Sequence, residues 1–202
     1  MKNYVVIGLE TTGPNYKEEQ IIEAAVIKYD ANFKEMSSFH SMVCFNRGKA
    51  KPLSDYVKKL TGIKESDLIN GMSEKGAILL INNFIDNDSV LVAQDASFDL
   101  AFLSKYDIYP DSYICTKSLT AQMEPSVFFS LKAICRRFCI QLHHAHRALA
   151  DVQATTELLK YIFQLEVKYI ENYLMKFVGR EMNFIPANTI KVLDELEFSK
   201  EN

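Results

Sequence analysis

The strongest constraint on the fold is a change of period along the chain. Residues 4–9, 21–29 and 39–45 are apolar runs rich in β-branched side chains, joined by short polar links. Gly13, Pro14 and Asn15 close the first run with turn chemistry. Three strands with short links pair as an antiparallel meander, because parallel neighbours need a longer crossover. The apolar spacing then turns helical over 53–61 and 73–86. Residues 89–93 read as a short buried strand, 96–105 as a helix with Asp95 as its N-cap, and 113–115 as a last strand. A helix over 130–138 and a long one from Arg147 into the 160s follow. This order predicts an α/β fold: a mixed five-stranded sheet, three strands antiparallel and then two parallel, with helices on both faces.

A chain of 202 residues, 48% of them apolar, can bury one sizeable core. The division expected is a main unit over 1–165 and a C-terminal segment over 166–202. In that segment Val167, Ile170, Leu174 and Phe177 fall at helical spacing, and Gly179 is a natural stop. The segment reads as a terminal helix with an acidic tail, or as a docking site for a partner protein through residues 164–202. A formal net charge of −3 argues against coating nucleic acid by charge alone. It leaves room for an enzyme that meets phosphates through cations held by carboxylates. No run approaches the ~20 apolar residues that span a bilayer. The four cysteines form no C-x-x-C pair. The expectation is a cytoplasmic protein with unpaired thiols and no membrane contact.

Three patches carry chemistry: Gly8-Leu9-Glu10-Thr11-Thr12-Gly13 at the end of strand one, Gln94-Asp95-Ala96-Ser97-Phe98-Asp99 at a strand-to-helix junction, and His146-Arg147-Ala148-Leu149-Ala150-Asp151 at the start of the long helix. A single carboxylate is usually a solvated charge, and a lone histidine before a helix is usually a cap. Position raises the interest of these. Chain ends around one sheet converge in space, and sites form there. Clustered carboxylates repel unless a cation sits between them, and hard oxygen ligands suit Mg²⁺ or Mn²⁺. Two such ions can serve phosphodiester cleavage. His146, titrating near neutrality, could take a proton from the attacking water.

Together the patches resemble the three motifs of the DEDDh group of 3′–5′ exonucleases, on the branch of the proofreading (epsilon) subunits of bacterial DNA polymerase III. GLETTG is similar to D-x-E-T-T-G, QDASFD to H-N-A-x-F-D, and HRALAD matches H-x-A-x-x-D in full. IIEAAVIKYD, KLTGIKESDL and SLKAICRRF resemble further family segments, and the match runs over residues 4–163 in the family's order. The resemblance implies a ribonuclease-H-like fold, two divalent ions (Mg²⁺ or Mn²⁺), and release of nucleoside monophosphates from a single-stranded 3′ end, DNA favoured. Carried over, Glu10, Asp99 and Asp151 would be metal ligands and His146 the general base. Thr11, Thr12 and Phe98 would contact the terminal nucleotide.

The chain departs from the pattern at three places. Gly8 stands where the family has an aspartate that contacts both ions, so activity is expected to fall by orders of magnitude. Gln94-Asp95 replaces His-Asn, and Cys115 stands where relatives often have Asp. Asp95 could also lend charge to the site. The alternative function is a non-catalytic module that binds nucleic acid or protein through the same fold. Cys139, His143, His144 and His146 match no common zinc spacing. Lys132, Arg136 and Arg137 make a small basic face, as do the pairs Lys49-Lys51 and Lys58-Lys59.

Overall fold

The computed structural model describes residues 2–45, 52–123 and 129–166. β1 (Asn3–Thr11), β2 (Ile21–Tyr29) and β3 (Glu35–Met42) form the meander, and β4 (Ser89–Ala93) and β5 (Tyr113–Cys115) extend it. The sheet order is β3-β2-β1-β4-β5. β1 pairs antiparallel with β2 and parallel with β4, and β4 is parallel to β5. The expected mixed sheet of three antiparallel strands followed by two parallel ones is therefore borne out. β1 is central because both of its edges are taken.

Strand alternation divides the core into two layers. Val5, Ile7 and Leu9 of β1 face one way, with Val26, Leu91 and Ala93. Against them pack Ala77, Ile78 and Ile81 of α2 (Glu74–Asn82) and Leu100, Phe102 and Leu103 of α3 (Ala96–Ser104). Tyr4 and Val6 face the other way, onto α5 (Leu131–Arg137) and α6 (Ala148–Glu166). A smaller cluster of Ile22, Leu53, Val57, Ile63 and Leu68 seats α1 (Asp55–Thr61) beside the sheet. Serine side chains start three helices: Ser54, Ser73 and Ser130 accept from the N–H groups of Val57, Gly76 and Ala133. Gly62 ends α1 at φ 73°, a left-handed cap in which glycine has no Cβ penalty.

Several boundaries differ from expectation. β3 begins at Glu35, four residues early, because this edge strand is mostly exposed and its polar sequence carries no burial signal. α4 (Thr116–Met123) and a 3-10 turn over Glu65–Leu68 were not expected from the polar stretches that form them. Asp95 holds the N-cap position of α3, but its side chain makes no capping bond. Instead it accepts from Ser97 Oγ at 2.9 Å and pairs with Lys117 at 2.7 Å. The docking segment expected beyond Glu166 and the pair Lys49-Lys51 lie outside the described residues.

Candidate active site

β1 carries Gly8 and Glu10 on one face, toward α6, because residues two apart share a side of a strand. Their partners across the antiparallel ladder are Ala25 and Glu23. The register slips between Glu10 and Thr11, where β1 turns into the Thr11-Thr12-Gly13 loop. Asp99 lies in the first turn of α3 and Asp151 in the first turn of α6. His146 precedes α6 with φ 64°, a left-handed conformation unusual for histidine. Its N–H donates to Asp151 Oδ1 at 3.3 Å. Ligand atoms of Glu10, His146 and Asp151 lie within 4.8 Å of one another. Among the described residues this is the only such group, so Cys139, His143 and His144 do not gather with His146.

The four carboxylates here differ in how they are held. Glu23, 1% exposed, accepts from Arg147 Nε and Nη2, from the Ala148 N–H at 3.0 Å, and meets His40 Nε2 at 2.7 Å. Burial alone would push its carboxyl up, but these bonds win and hold it below the ordinary value. Glu23 thereby caps α6 from a neighbouring strand and anchors the residue after His146. Glu10 has no hydrogen-bond partner among the described residues. Burial, then the charges of Asp151 and Glu23, push its carboxyl up to about 8. Asp151 is pushed up to about 6, chiefly by burial, with the His146 N–H opposing. Asp99 is raised well above the ordinary range by burial and by Asp95 and Glu10, although the Leu9 N–H bonds to it. His146 is lowered by burial and by Lys132.

Such a set of desolvated carboxylates fits a divalent cation, which would offset the charge that burial penalises. Glu10, Asp151 and His146 fit one ion. Gly8, on the same face of β1 as Glu10, has no side chain and adds no ligand to this group. The backbone there is also hemmed in by α6. A Cβ on residue 8 would stand 3.0 Å from Ala148 O and 3.1 Å from Val152 Cγ2, tighter than ordinary contact.

The cluster opens into a cleft of about 770 Å³ lined by the Thr11–Gly13 loop, Tyr56 and Leu60 of α1, Phe98, Lys117 and Phe129. Thr11 Oγ1 donates to Gly13 O at 2.7 Å. Thr12 Oγ1 donates to Glu19 and accepts from the Gln20 N–H, so both hydroxyls bond within the loop. Gln94, half-buried in the cleft wall, bridges Thr116 Oγ1 and Phe129 O. Lys58 pairs with Glu65 at 3.2 Å, while Lys132 and Arg136 stay exposed. The sequence reading missed Glu23, Arg147, Tyr56 and Leu60. One signal was available for Glu23: it is the lone carboxylate inside an otherwise apolar strand, Ile21 to Ile27. Tyr56 and Leu60 looked like ordinary helix positions.

A family model described as Exonuclease matches residues 5–159. The chain belongs to the exonuclease family. This exonuclease-family chain is 30% identical over 184 residues to the PolC-type DNA polymerase III of Latilactobacillus sakei subsp. sakei (strain 23K), covering 88% of itself and 12% of that protein. It thus spans about an eighth of the length of that curated relative. Among solved structures it resembles Exonuclease X in complex with 5′ overhanging duplex DNA, with TM-score 0.68 and 23% identity over 84% of this chain and 96% of that one. It also resembles the nuclease domain of 3′hExo, a DEDDh family member, bound to rAMP, with TM-score 0.69 and 15% identity over 90% and 98%. These two likenesses are of fold, and the expected resemblance is borne out for the exonuclease family and for the fold. No helix of the described residues is long and apolar enough to cross a membrane.

Proposed function

We propose that this chain is built as a 3′–5′ exonuclease that releases nucleoside monophosphates from nucleic-acid 3′ ends, DNA favoured, and that Gly8 impairs it. The reading rests on one observation: Glu10, His146 and Asp151 converge in one cleft, beside Asp99, on an exonuclease-family fold. Divalent ions such as Mg²⁺ or Mn²⁺, two in the family's frame, supply Lewis acidity at the scissile phosphate and an activated water when bound. Glu10, Asp99 and Asp151 are the ligands on this reading. His146, kept neutral near pH 7 by burial and Lys132, is the group able to accept a proton from water. Thr11 and Thr12 shape the loop that receives the terminal nucleotide. Phe98, with the exposed faces of Tyr56 and Leu60, suits stacking on the last bases of a single strand. Lys117 stands at the rim, where it would have to exchange its Asp95 partner for a phosphate of the backbone. The DNA held by Exonuclease X and the rAMP held by 3′hExo support a nucleic-acid 3′ end as ligand.

The division at residue 165, with 166–202 as a segment that docks a protein partner, belongs to the same reading. So does a cytoplasmic setting, which suits the free thiols of Cys44, Cys115, Cys135 and Cys139. Gly8 favours a second reading, a module that binds 3′ ends without cutting them.

The test is a 5′-labelled single-stranded DNA and a matching RNA, incubated in Mn²⁺ or chelator with the chain as it stands and with Gly8→Asp. Because a Cβ at residue 8 crowds Val152, Gly8→Asp combined with Val152→Ala is the fairer restoration. Metal-dependent 3′ shortening by the restored chain, with far slower or no shortening by the chain itself, is the expected result. Strand binding with no shortening by any form would favour the binding module and overturn the exonuclease reading.

A further inference from the structure

We infer that the cleft takes one divalent cation, with the His146 imidazole as third protein ligand beside Glu10 and Asp151, and that it prefers a first-row transition-metal ion to Mg²⁺. This rests on the exonuclease reading only for the presence of a cation.

Geometry comes first. Ligand atoms within 4.8 Å of one another close onto a single small ion with side-chain shifts under about 1 Å, since the bonds needed are about 2.0–2.2 Å. His146 is held for this. Its left-handed backbone is pinned on one side by the N–H bond to Asp151 and on the other by Arg147, which Glu23 grips. Charge agrees. Glu10 and Asp151 balance one dication. A second would meet only Asp99, because Asp95 is paired with Lys117 and Glu23 with Arg147. Gly8, on the same face of β1 as Glu10, has no side chain to offer, and α6 presses against it there. An ion short of one carboxylate takes another donor within reach, and a ring nitrogen of His146 lies within 4.8 Å of both carboxylates. Imidazole suits Zn²⁺, Fe²⁺ and Ni²⁺, whereas Mg²⁺ selects oxygen; Mn²⁺ is the weakest of the first-row ions for such a site and so the most demanding probe. The consequence is chemical. A ring nitrogen bound to a cation cannot take a proton from water, so the loss at residue 8 also withdraws His146 from service as a base.

The test is Mn²⁺ binding by the full chain, followed by calorimetry and pulsed electron paramagnetic resonance. His146→Gly is the variant, because glycine keeps φ 64° without strain, and circular dichroism checks that it folds. The expected result is one Mn²⁺ per chain, nitrogen coupling from a directly bound imidazole, and at least tenfold tighter binding of Mn²⁺ than of Mg²⁺. His146→Gly should lose the coupling and at least tenfold in Mn²⁺ affinity. Two Mn²⁺ per chain, a spectrum without nitrogen coupling, unchanged affinity in the variant, or no binding at all would each overturn the inference. An added 3′-ended oligonucleotide separates the two readings. A single His146-dependent Mn²⁺ in a chain that neither binds nor trims it upholds this site and sinks the exonuclease reading. Trimming by a chain with two ions, or with one ion free of nitrogen, does the reverse.

Discussion

Glu10 and Glu23 face each other across the β1–β2 ladder, yet they are treated in opposite ways. Glu23 is almost fully enclosed and meets Arg147, His40 and the first N–H of α6. Glu10, its cross-strand neighbour, has no such bond among the described residues. The same residue type, one pairing apart, is lowered in one case and raised to about 8 in the other. The difference teaches how to tell a carboxylate that holds a fold from one that, on the proposed reading, awaits a ligand: the first has its donors in the protein, the second lacks them.

The sharpest way to break this contrast is Glu23→Ala. It strands Arg147 and uncaps α6, so a loss of about 3 kcal/mol is expected in urea unfolding. A loss under about 1 kcal/mol would show that Glu23 is no anchor. Next in size is the response to pH without metal. Glu10 near 8 and Asp151 near 6 both lie above their ordinary values of 4.5 and 3.8. The folded chain therefore binds more protons than the unfolded one, and their contribution is complete below about pH 4. It is lost as pH rises through 6 and then 8, by roughly 2–4 kcal/mol. Glu23 has the reverse sign: its contribution is present above its ordinary 4.5 and lost as pH falls below it. Thermal melts from pH 5 to 9 in chelator should fall, and Mn²⁺ should remove most of the fall; a flat series in chelator would contradict the assignment.

A smaller effect sharpens the same point. Glu10→Gln removes the unmatched charge, so the metal-free chain should gain about 1–2 kcal/mol at pH 8 while Mn²⁺ binding collapses. Destabilisation there would mean that Glu10 has a structural partner after all. Least of all, Lys117→Met breaks an ion pair in which both side chains are more than two-fifths exposed, 45% and 43%. Its effect on melting should correspond to less than about 0.5 kcal/mol. A larger one would put Asp95 among the residues that matter to the fold.

Much of this was legible in the sequence, for physical reasons. β2 and β4 are near-continuous apolar runs because both faces of the sheet are covered, so their limits could be read directly. The carboxylates Glu10, Asp99 and Asp151 with His146 stood out through the order and spacing of their motifs. What stayed hidden was tertiary. β3 is an exposed edge, and its polar residues give no burial pattern to read. α4 is a polar helix whose start is fixed beyond its own sequence, where Thr116 meets Gln94. Glu23 could be noticed but not explained, since its partners Arg147 and Ala148 lie more than 120 residues away. Asp95 read as a cap from sequence, and only the position of Lys117 drew it elsewhere.

The crowding around Gly8 also bears on whether changes at this site act independently. An acid in place of a glycine is commonly imagined as a single independent change. Here the Cβ of an aspartate would stand 3.0 Å from the carbonyl of Ala148 and 3.1 Å from a methyl of Val152, so α6 must give by a few tenths of an ångström to admit it. A smaller residue at 152 would relieve the contact with the methyl but not the one with the carbonyl, so a side chain at residue 8 is coupled both to residue 152 and to the backbone of α6. A pairwise library at positions 8 and 152 would measure how strongly the two positions are coupled.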